Sequence, residues 1–480
     1  MLPTIPERFR HLVHATTELA ERFARAERTL YLVGGSVRDA LLADSSEPAA
    51  PSDASPLPDL DLTTDASPDE IERLVRGWAD AVWGQGKAFG TIGCRRGDQV
   101  FEITTHRAEA YRSDSRKPSV RFGTDIDVDL SRRDFTVNAM ALRLPDLSLV
   151  DPFDGLADLA ARRLRTPLSA EISFGDDPLR MLRAARFQAA YGLEPDPSIT
   201  EAVRDGHARL EIVSAERIRG ELDKLMVTER PSVGLWFVVQ TGLAEEFLPE
   251  LPGLALEQDP VHRHKDVLAH TLAVVDKTSR SDRPLRLAAL FHDVGKPRTR
   301  AFGPGGVSFH HHEVVGARMT RERMLALRYP TEEIDLVTRL VELHLRFHTY
   351  RLGWTDKAVR RYVRDAGDLL DRLNELTRCD CTTRNPAKAR ALATRMDELE
   401  ARIADLRQRE ELDAIRPDLD GNEIMTLLGV PPGPVVGKAL AFLLELRLDE
   451  GPLGTEEAQR RLLAWRAEQS EERPELAGPS

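Results

Sequence analysis

Along the first 150 residues, apolar positions come in short runs and strict alternations; beyond about residue 155 they recur at helical spacing. "TLYLVGGSVRDALL" (29–42) reads as an apolar strand, a Gly-Gly turn and the start of a helix. "FGTIGCRRGDQVFEITTHR" (89–107) alternates and turns at Gly97-Asp98, which predicts a β-hairpin. Between them, "ADSSEPAAPSDASPLP" (43–58) is too rich in Pro, Ala, Ser and Asp to build a core and is expected to be a mobile loop. The helical periodicity after residue 155 is broken by Pro and Gly near 251–260, 302–306, 386 and 431–434. The expected fold is therefore α+β: a small mixed β-sheet head over 1–155, then all-α segments over 156–250, 251–400 and 401–480.

Length and composition narrow the class. The 480 residues, 41% hydrophobic and 30% charged, suit a globular chain of three or four domains. No run of 18 apolar residues occurs and the first residues lack a signal-peptide layout, so a cytoplasmic chain without a membrane partner is expected. Three cysteines, Cys94, Cys379 and Cys381, imply no disulfide framework; the "CDC" at 379–381 reads as buried thiols or a metal pair. A net charge of −12 argues against a surface built for duplex DNA, yet leaves room for a local basic groove that holds RNA.

Chemistry concentrates in three short stretches. In "PDLDLTTD", Asp59 and Asp61 stand two apart, so on a strand they leave by one face with Cα atoms about 7 Å apart. Alone, such a pair reads equally as an exposed edge or an Asx turn. The Gly34-Gly35 turn, with Arg38 behind it, opens a helix whose free amides suit a phosphate, and it precedes the carboxylate pair by 25 residues or so in the same small sheet. Together they suit nucleotidyl transfer, with divalent cations bridging a nucleoside triphosphate and an attacking hydroxyl. "SRRDFTVNAMAL" then supplies Arg132 and Arg133 for triphosphate oxygens and Asp134 and Asn138 for ribose hydroxyls, or else a salt-bridge cluster at a helix start.

In "FGDDPLRMLRAARF", Asp176 or Asp177 before Pro178 is a helix N-cap by default. Asp177 and Arg180, at i and i+3, also share a face. A carboxylate beside a guanidinium accepts an amino donor next to a ring acceptor, which cytosine and adenine offer and uracil and guanine do not. Such a pair would let protein, rather than a nucleic-acid template, select the base. Arg183 and Arg186 continue the basic face, and Arg162, Arg163 and Arg165 are further candidates for a groove.

"LVGGSVRDALL", "PDLDLTTDA", "FEITTHR", "RRDFTVNAMAL", "DPFDGLADL", "DDPLRMLRAARF" and "ERIRGELDKLM" occur in this order over about residues 30–226. Together they resemble the bacterial class of tRNA nucleotidyltransferases, the CCA-adding enzymes, and their relatives the bacterial poly(A) polymerases. The resemblance implies a nucleotidyltransferase head and a helical neck, acting on tRNA 3′ ends with CTP and ATP. It implies Mg²⁺ on Asp59 and Asp61 as the catalytic pair, and a triphosphate site lined by Gly34, Gly35, Arg38 and Asp39. Arg133, Asp134, Asn138, Arg183 and Arg186 join that nucleotide site, with Asp134 at the ribose. Asp177 and Arg180 would pair with the incoming base, and Glu216 and Arg217 would brace their helix. The family has Glu-Asp where this chain has Asp176-Asp177, and the 43–58 segment is longer than the pattern. Glu102 on the hairpin is either a third carboxylate or a solvent-facing position. The hairpin lacks the "GRRF" of poly(A) polymerases, which favours CCA addition over poly(A) synthesis.

A second resemblance covers about residues 262–384. His270, the adjacent His292-Asp293 in "ALFHDVGK", His312, His344 and Asp380 resemble the metal set of the HD phosphohydrolase superfamily. That likeness implies His270, His292, Asp293 and Asp380 as ligands of a divalent ion such as Ni²⁺ or Mn²⁺, with His312 and His344 on phosphate or a second metal. It carries a phosphohydrolase expectation for damaged tRNA 3′ ends, or a vestigial site that serves as an RNA-binding wall. In the last segment a Gly/Pro turn opens a helix with Lys438 near its start, either an RNA phosphate seat or a plain connection.

Overall fold

The computed structural model describes residues 9–42, 59–107, 122–256, 266–303, 306–349, 353–381, 385–410, 412 and 415–471; the segment 43–58 lies outside them. The chain divides into two compact units, Met1–Pro249 and Glu250–Ser480. Among the described residues no helix is long and apolar enough to cross a membrane.

The first unit is built on a seven-stranded mixed sheet in the order β3-β4-β5-β2-β1-β6-β7. Its strands are β1 (Leu30–Val33), β2 (Leu60–Thr64), β3 (Ala81–Trp83), β4 (Thr91–Arg96), β5 (Gln99–Thr105), β6 (Ala141–Leu144) and β7 (Leu149–Val150). β4 and β5 form the expected hairpin through Gly97-Asp98, with Arg96 opposite Gln99. β2 runs parallel to β5 and antiparallel to β1. Strand alternation divides the faces: Leu60, Leu62 and Thr64 are buried, whereas Asp61 is exposed on the other face. The helices Arg10–Arg25 and Pro68–Val75 pack on this sheet. Ser67 starts the second of them with a reciprocal capping box to Glu70.

The helix Leu179–Tyr191 is the spine of the rest of this unit, flanked by Ala215–Met226 and Pro231–Gln240. Met181, Leu182, Ala184, Ala185 and Phe187 are buried along it. The second unit is helical, with His312–Ala326, Thr331–Leu343, Arg283–Phe291, Val267–Lys277 and Leu370–Asp380 packed around one another. The helical part also carries two short ladders that the spacing of apolar residues does not show. They are β8 (Arg163–Leu164) with β9 (Glu194–Pro195), and the hairpin of β10 (Ala301–Gly303) and β11 (Gly306–Ser308). Strands of two or three residues are too short to show a period of two.

Candidate active site and candidate metal centre

In the first unit, parallel pairing puts Asp61 directly beside Glu102, and Leu62 beside Ile103. Asp61 and Glu102 line a cavity of about 250 Å³ together with Val33, Thr104, Arg107, Asp129, Arg132 and Arg133. Gly34, next to the lining residue Val33, has φ +71, a left-handed turn that favours glycine. A Cβ there would lie 3.3 Å from Arg133 Nη1 and 3.7 Å from Asp61 Oδ2, so turn, guanidinium and carboxylate meet at one point. Asp61 opens onto the cleft, whose walls partly desolvate its carboxyl and push it above its ordinary value; Arg133 opposes this, and the charges of Glu102 and Asp59 add to it. Asp59 stands exposed just before β2, close enough to act on Asp61 but outside the residues lining the cavity. Carboxylates crowded beside open space form an all-oxygen donor set, which fits Mg²⁺.

The other predicted residues near the cleft are already engaged. Arg38 is buried and donates from Nε to Asp39 at 2.8 Å, from Nη1 to Asn138 Oδ1 at 2.6 Å and from Nη2 to Tyr191 Oη at 2.5 Å. Its guanidinium also lies 4.1 Å over the Tyr191 ring. Asp134 accepts from Asn138 Nδ2, from the Phe135 amide, and twice from Arg183, at 2.9 and 2.5 Å. Burial would raise the Asp134 pKa, but the Arg183 charge and these hydrogen bonds hold it down to about 2. Arg186 pairs with the buried Glu221 at 2.6 Å, and Arg163 and Arg165 both grip the buried Asp158 at 2.8 Å. Arg38 and Arg183 join the spine helix to the stretches around residues 35–42 and 134–138, Arg186 joins it to Ala215–Met226, and Arg163 and Arg165 hold the segment around Asp158.

Asp177 sits in the joint between the helix Ala170–Asp176 and the spine helix. Its Oδ1 caps the spine by accepting from the Leu179 amide at 3.1 Å, and its Oδ2 pairs with Arg217 at 2.7 Å. The capping and bracing expectations thus coexist in one carboxylate. Arg180 donates to Ser173 Oγ at 2.9 Å and to the Arg132 carbonyl at 2.5 Å. Reading a base would therefore require both side chains to exchange protein partners for base edges. The residues that sequence reasoning missed are Arg107, Asp129 and Thr104. Asp129 Oδ2 accepts from Arg133 at 3.3 Å and its Oδ1 from the Arg107 amide at 3.1 Å. Thr104 was legible in principle, since it is two residues along β5 from Glu102 and so shares its face.

In the second unit, five helices converge. His292 and Asp293 follow the helix Arg283–Phe291, His270 comes from Val267–Lys277, and Asp380 ends Leu370–Asp380. His312 opens His312–Ala326, and His344 closes Thr331–Leu343. His270 Nε2 lies 2.9 Å from Asp380 Oδ1 and 3.6 Å from Asp293 Oδ2, and His292 Nε2 is 3.3 Å from Asp293 Oδ2. On the other side of the same carboxylate, His312 Nε2 is 3.4 Å from Asp293 Oδ1 and 3.2 Å from His344 Nε2. His270, His292 and Asp293 form one group able to hold a metal, and Asp293, His312 and His344 another.

The tautomers are set by the backbone. Nδ1 of His292, His312 and His344 each donates to a carbonyl, of Ala289, Phe309 and Val341, at 2.7 to 2.8 Å. Every Nε2 is thereby turned inward as the ligating nitrogen. The carboxylates of buried Asp293 and half-buried Asp380 are held well below their ordinary range despite the cost of desolvation, Asp293 by the charge and hydrogen bond of His292 and then by His312 and Lys296, Asp380 by His270 and His292. Burial would lower the His292 pKa, yet Asp293 and Asp380 raise it, while burial and the His292 charge depress His344. A proton on His292 therefore balances two carboxylates where a divalent cation would balance them better, and the mixed nitrogen and oxygen donors fit a transition ion. Gly295 is required by close approach: a Cβ there would lie 2.1 Å from the His312 carbonyl oxygen. Cys379 and Cys381 are half-buried thiols flanking Asp380, and burial pushes Cys379 up to about 11.

Sheet, glycine turn, carboxylates and helical spine define a nucleotidyltransferase. The comparisons with known proteins go one step further. Residues 30–165 match the family model described as "Poly A polymerase head domain", 192–254 match "Probable RNA and SrmB- binding site of polymerase A", and 267–407 match "HD domain". An A-adding tRNA nucleotidyltransferase of Deinococcus radiodurans is 37% identical over 359 residues, 72% of this chain and 80% of that protein. A CC-adding tRNA nucleotidyltransferase of Thermus thermophilus is 38% identical over 358 residues, 71% of this chain and 78% of that protein. The crystal structure of the Bacillus stearothermophilus CCA-adding enzyme in complex with CTP shares the fold, with a TM-score of 0.70 at 21% identity over 98% of this chain and 100% of that one. The chain belongs to the tRNA nucleotidyltransferase family of CCA-, CC- and A-adding enzymes.

Proposed function

We propose that this enzyme extends tRNA 3′ ends with C, C and A from CTP and ATP, without a nucleic-acid template. The observation that carries the reading is the register that sets Asp61 beside Glu102, under the Gly34 turn and next to Arg133. Mg²⁺ held by Asp59 and Asp61 would acidify the tRNA 3′-hydroxyl and neutralise charge on the triphosphate. Arg132 and Arg133, at the cavity wall, bind the phosphates of the nucleotide and hold the α-phosphate in line with that hydroxyl. Asp177 and Arg180 select cytosine and adenine once they leave Arg217, Ser173 and the Arg132 carbonyl. Asp134, with Asn138 and Arg183, anchors the spine helix to the segment that carries Arg132 and Arg133.

The test is incubation with a tRNA transcript lacking its 3′ CCA and each of the four NTPs, singly and paired. Addition of two C residues and then one A supports the reading, and a long A-tract would instead indicate a poly(A) polymerase. A partial addition, two C residues or one A alone, is the specific second outcome, because the Thermus and Deinococcus relatives are named for those partial activities.

A second activity rests on the histidine cluster. The convergence of inward-facing Nε2 atoms on both oxygens of Asp293 supports a metal-dependent phosphohydrolase that clears phosphate from tRNA 3′ ends. The ion would be Ni²⁺ or Mn²⁺, and it would supply an activated water. Hydrolysis of a tRNA ending in a 2′,3′-cyclic phosphate that disappears in Asp293→Ala is the expected result. Hydrolysis that persists in that variant would remove the cluster from the reaction.

A further inference from the structure

The segment from Lys296 to Phe309 leaves the histidine cluster and returns to it. At its first root, Lys296 Nζ donates to Asp293 Oδ2 at 2.7 Å. At its second root, the Phe309 carbonyl accepts from His312 Nδ1 at 2.8 Å. Lys296 Nζ lies 5.8 Å from the Phe309 ring centroid, so the two roots also touch each other. Between them stands the β10–β11 hairpin, whose three-residue strands reach roughly 10 Å, the scale of one or two nucleotides.

What this hairpin displays is unusual for a surface turn. Phe302 is 69% exposed, more than any other large apolar side chain recorded as exposed among the described residues. Its Cα faces that of Val307 across the ladder, and the Arg300 guanidinium lies 4.8 Å over its ring. Lys296 and Arg298 lie on the short helix Lys296–Thr299 and Arg300 follows it, so three cationic residues stand on the approach from Asp293, of which Lys296 is paired with that carboxylate. An exposed aromatic with a guanidinium on one face, next to further cationic residues, is the combination that stacks a base and attracts a phosphate backbone. A protein partner would have no comparable need for cations leading toward a carboxylate and imidazole cluster.

We infer that the β10–β11 hairpin is a base-stacking platform, with Phe302 and Arg300 holding the terminal nucleobase of a single-stranded RNA whose phosphate lies at the His270, His292, Asp293 cluster. The inference rests on the phosphohydrolase reading and adds the determinant of its nucleotide preference. Phe302 is a positioning residue: it touches the base and not the reacting phosphate.

The full chain, loaded with Mn²⁺, is assayed on adenosine 2′,3′-cyclic phosphate and on ribose 2′,3′-cyclic phosphate, which lacks the base. Phe302→Ala is expected to raise KM for the adenosine substrate about tenfold with kcat within twofold, to leave the ribose substrate unchanged, and to be rescued by Phe302→Trp. Equal effects on both substrates, or none, would overturn the proposal. So would a Phe302→Ala variant with unchanged kinetics but altered sedimentation, which marks the ring as a protein contact. The parallel readout is the fluorescence of an RNA hexamer ending in 2-aminopurine 3′-phosphate, quenched when the base stacks. If the wild type hydrolyses neither substrate yet loses quenching in Phe302→Ala, the hydrolytic reading falls and the platform stands. Quenching that survives the substitution removes the platform.

Discussion

The sheet cleft and the histidine cluster are two different answers to the problem of placing carboxylates around a cation. In the cleft, Asp61 and Glu102 stand on neighbouring strands with one side open, and desolvation, with a smaller push from the charges of Glu102 and Asp59, raises the Asp61 pKa against the pull of Arg133. In the cluster, Asp293 and Asp380 are enclosed by imidazoles and Lys296, and their pKa values are driven down. The first arrangement leaves its charge incompletely balanced and suits a labile hard cation that comes and goes with a triphosphate. The second is already balanced by protein donors, with tautomers set by backbone carbonyls, and suits a resident ion of softer preference. The comparison teaches that burial and partner choice, not the carboxylates themselves, separate the two chemistries.

The largest expected effect sharpens that division. Asp61→Ala should lower CTP incorporation into tRNA by about 10³-fold or more while leaving cyclic-phosphate hydrolysis within twofold. Asp293→Ala should do the reverse, measured on one preparation with both assays. Equal loss in both assays would break the comparison. After chelation, Mg²⁺ alone should restore incorporation, whereas hydrolysis should return with Mn²⁺ or Ni²⁺ and not with Mg²⁺.

A smaller effect concerns the tie between sheet and spine. Arg183→Ala leaves Asp134 buried without its cation and should cost about 3 kcal/mol in urea unfolding, because an unpaired buried charge is expensive. The same tie is sensitive to acid. The folded Asp134 pKa of about 2 lies below its ordinary 3.8, so the contribution is complete above pH 4 and is lost as pH falls through 2. Its size is about 2 kcal/mol, and Asp134→Asn should flatten the stability profile over that window. The smallest effect is at Arg217. Arg217→Ala frees Asp177 Oδ2 before a base arrives and should lower the KM for CTP only several-fold, since Asp177 keeps its cap on Leu179. An unchanged KM would show that the Arg217 pair does not compete with the nucleotide for Asp177.

The strand, the glycine turn and the Gly97-Asp98 hairpin were legible because each is a local pattern several residues long. The histidine positions were legible because adjacent His-Asp before glycine is rare without a reason, and Gly295 indeed meets the His312 backbone. What local pattern could not show was which protein groups each charge meets. Arg38, Arg183 and Arg186, read from the sequence as nucleotide-binding residues, each also meet a partner 35 to 153 residues away, at Tyr191, Asp134 and Glu221 respectively. Arg107 and Asp129 escaped notice for the same reason, as the cavity brings them together from separate stretches. The β10–β11 hairpin is hidden in what reads as a Gly/Pro break.

The most direct measurement is single-turnover incorporation of labelled CTP, with Mg²⁺, into a tRNA transcript that ends before its CCA, comparing the wild type with Asp61→Asn. The wild type should extend the transcript by two C residues, and the asparagine variant, isosteric but uncharged, should be silent on the same timescale. An asparagine variant that extends tRNA at more than a tenth of the wild-type rate would contradict the assignment of the cleft.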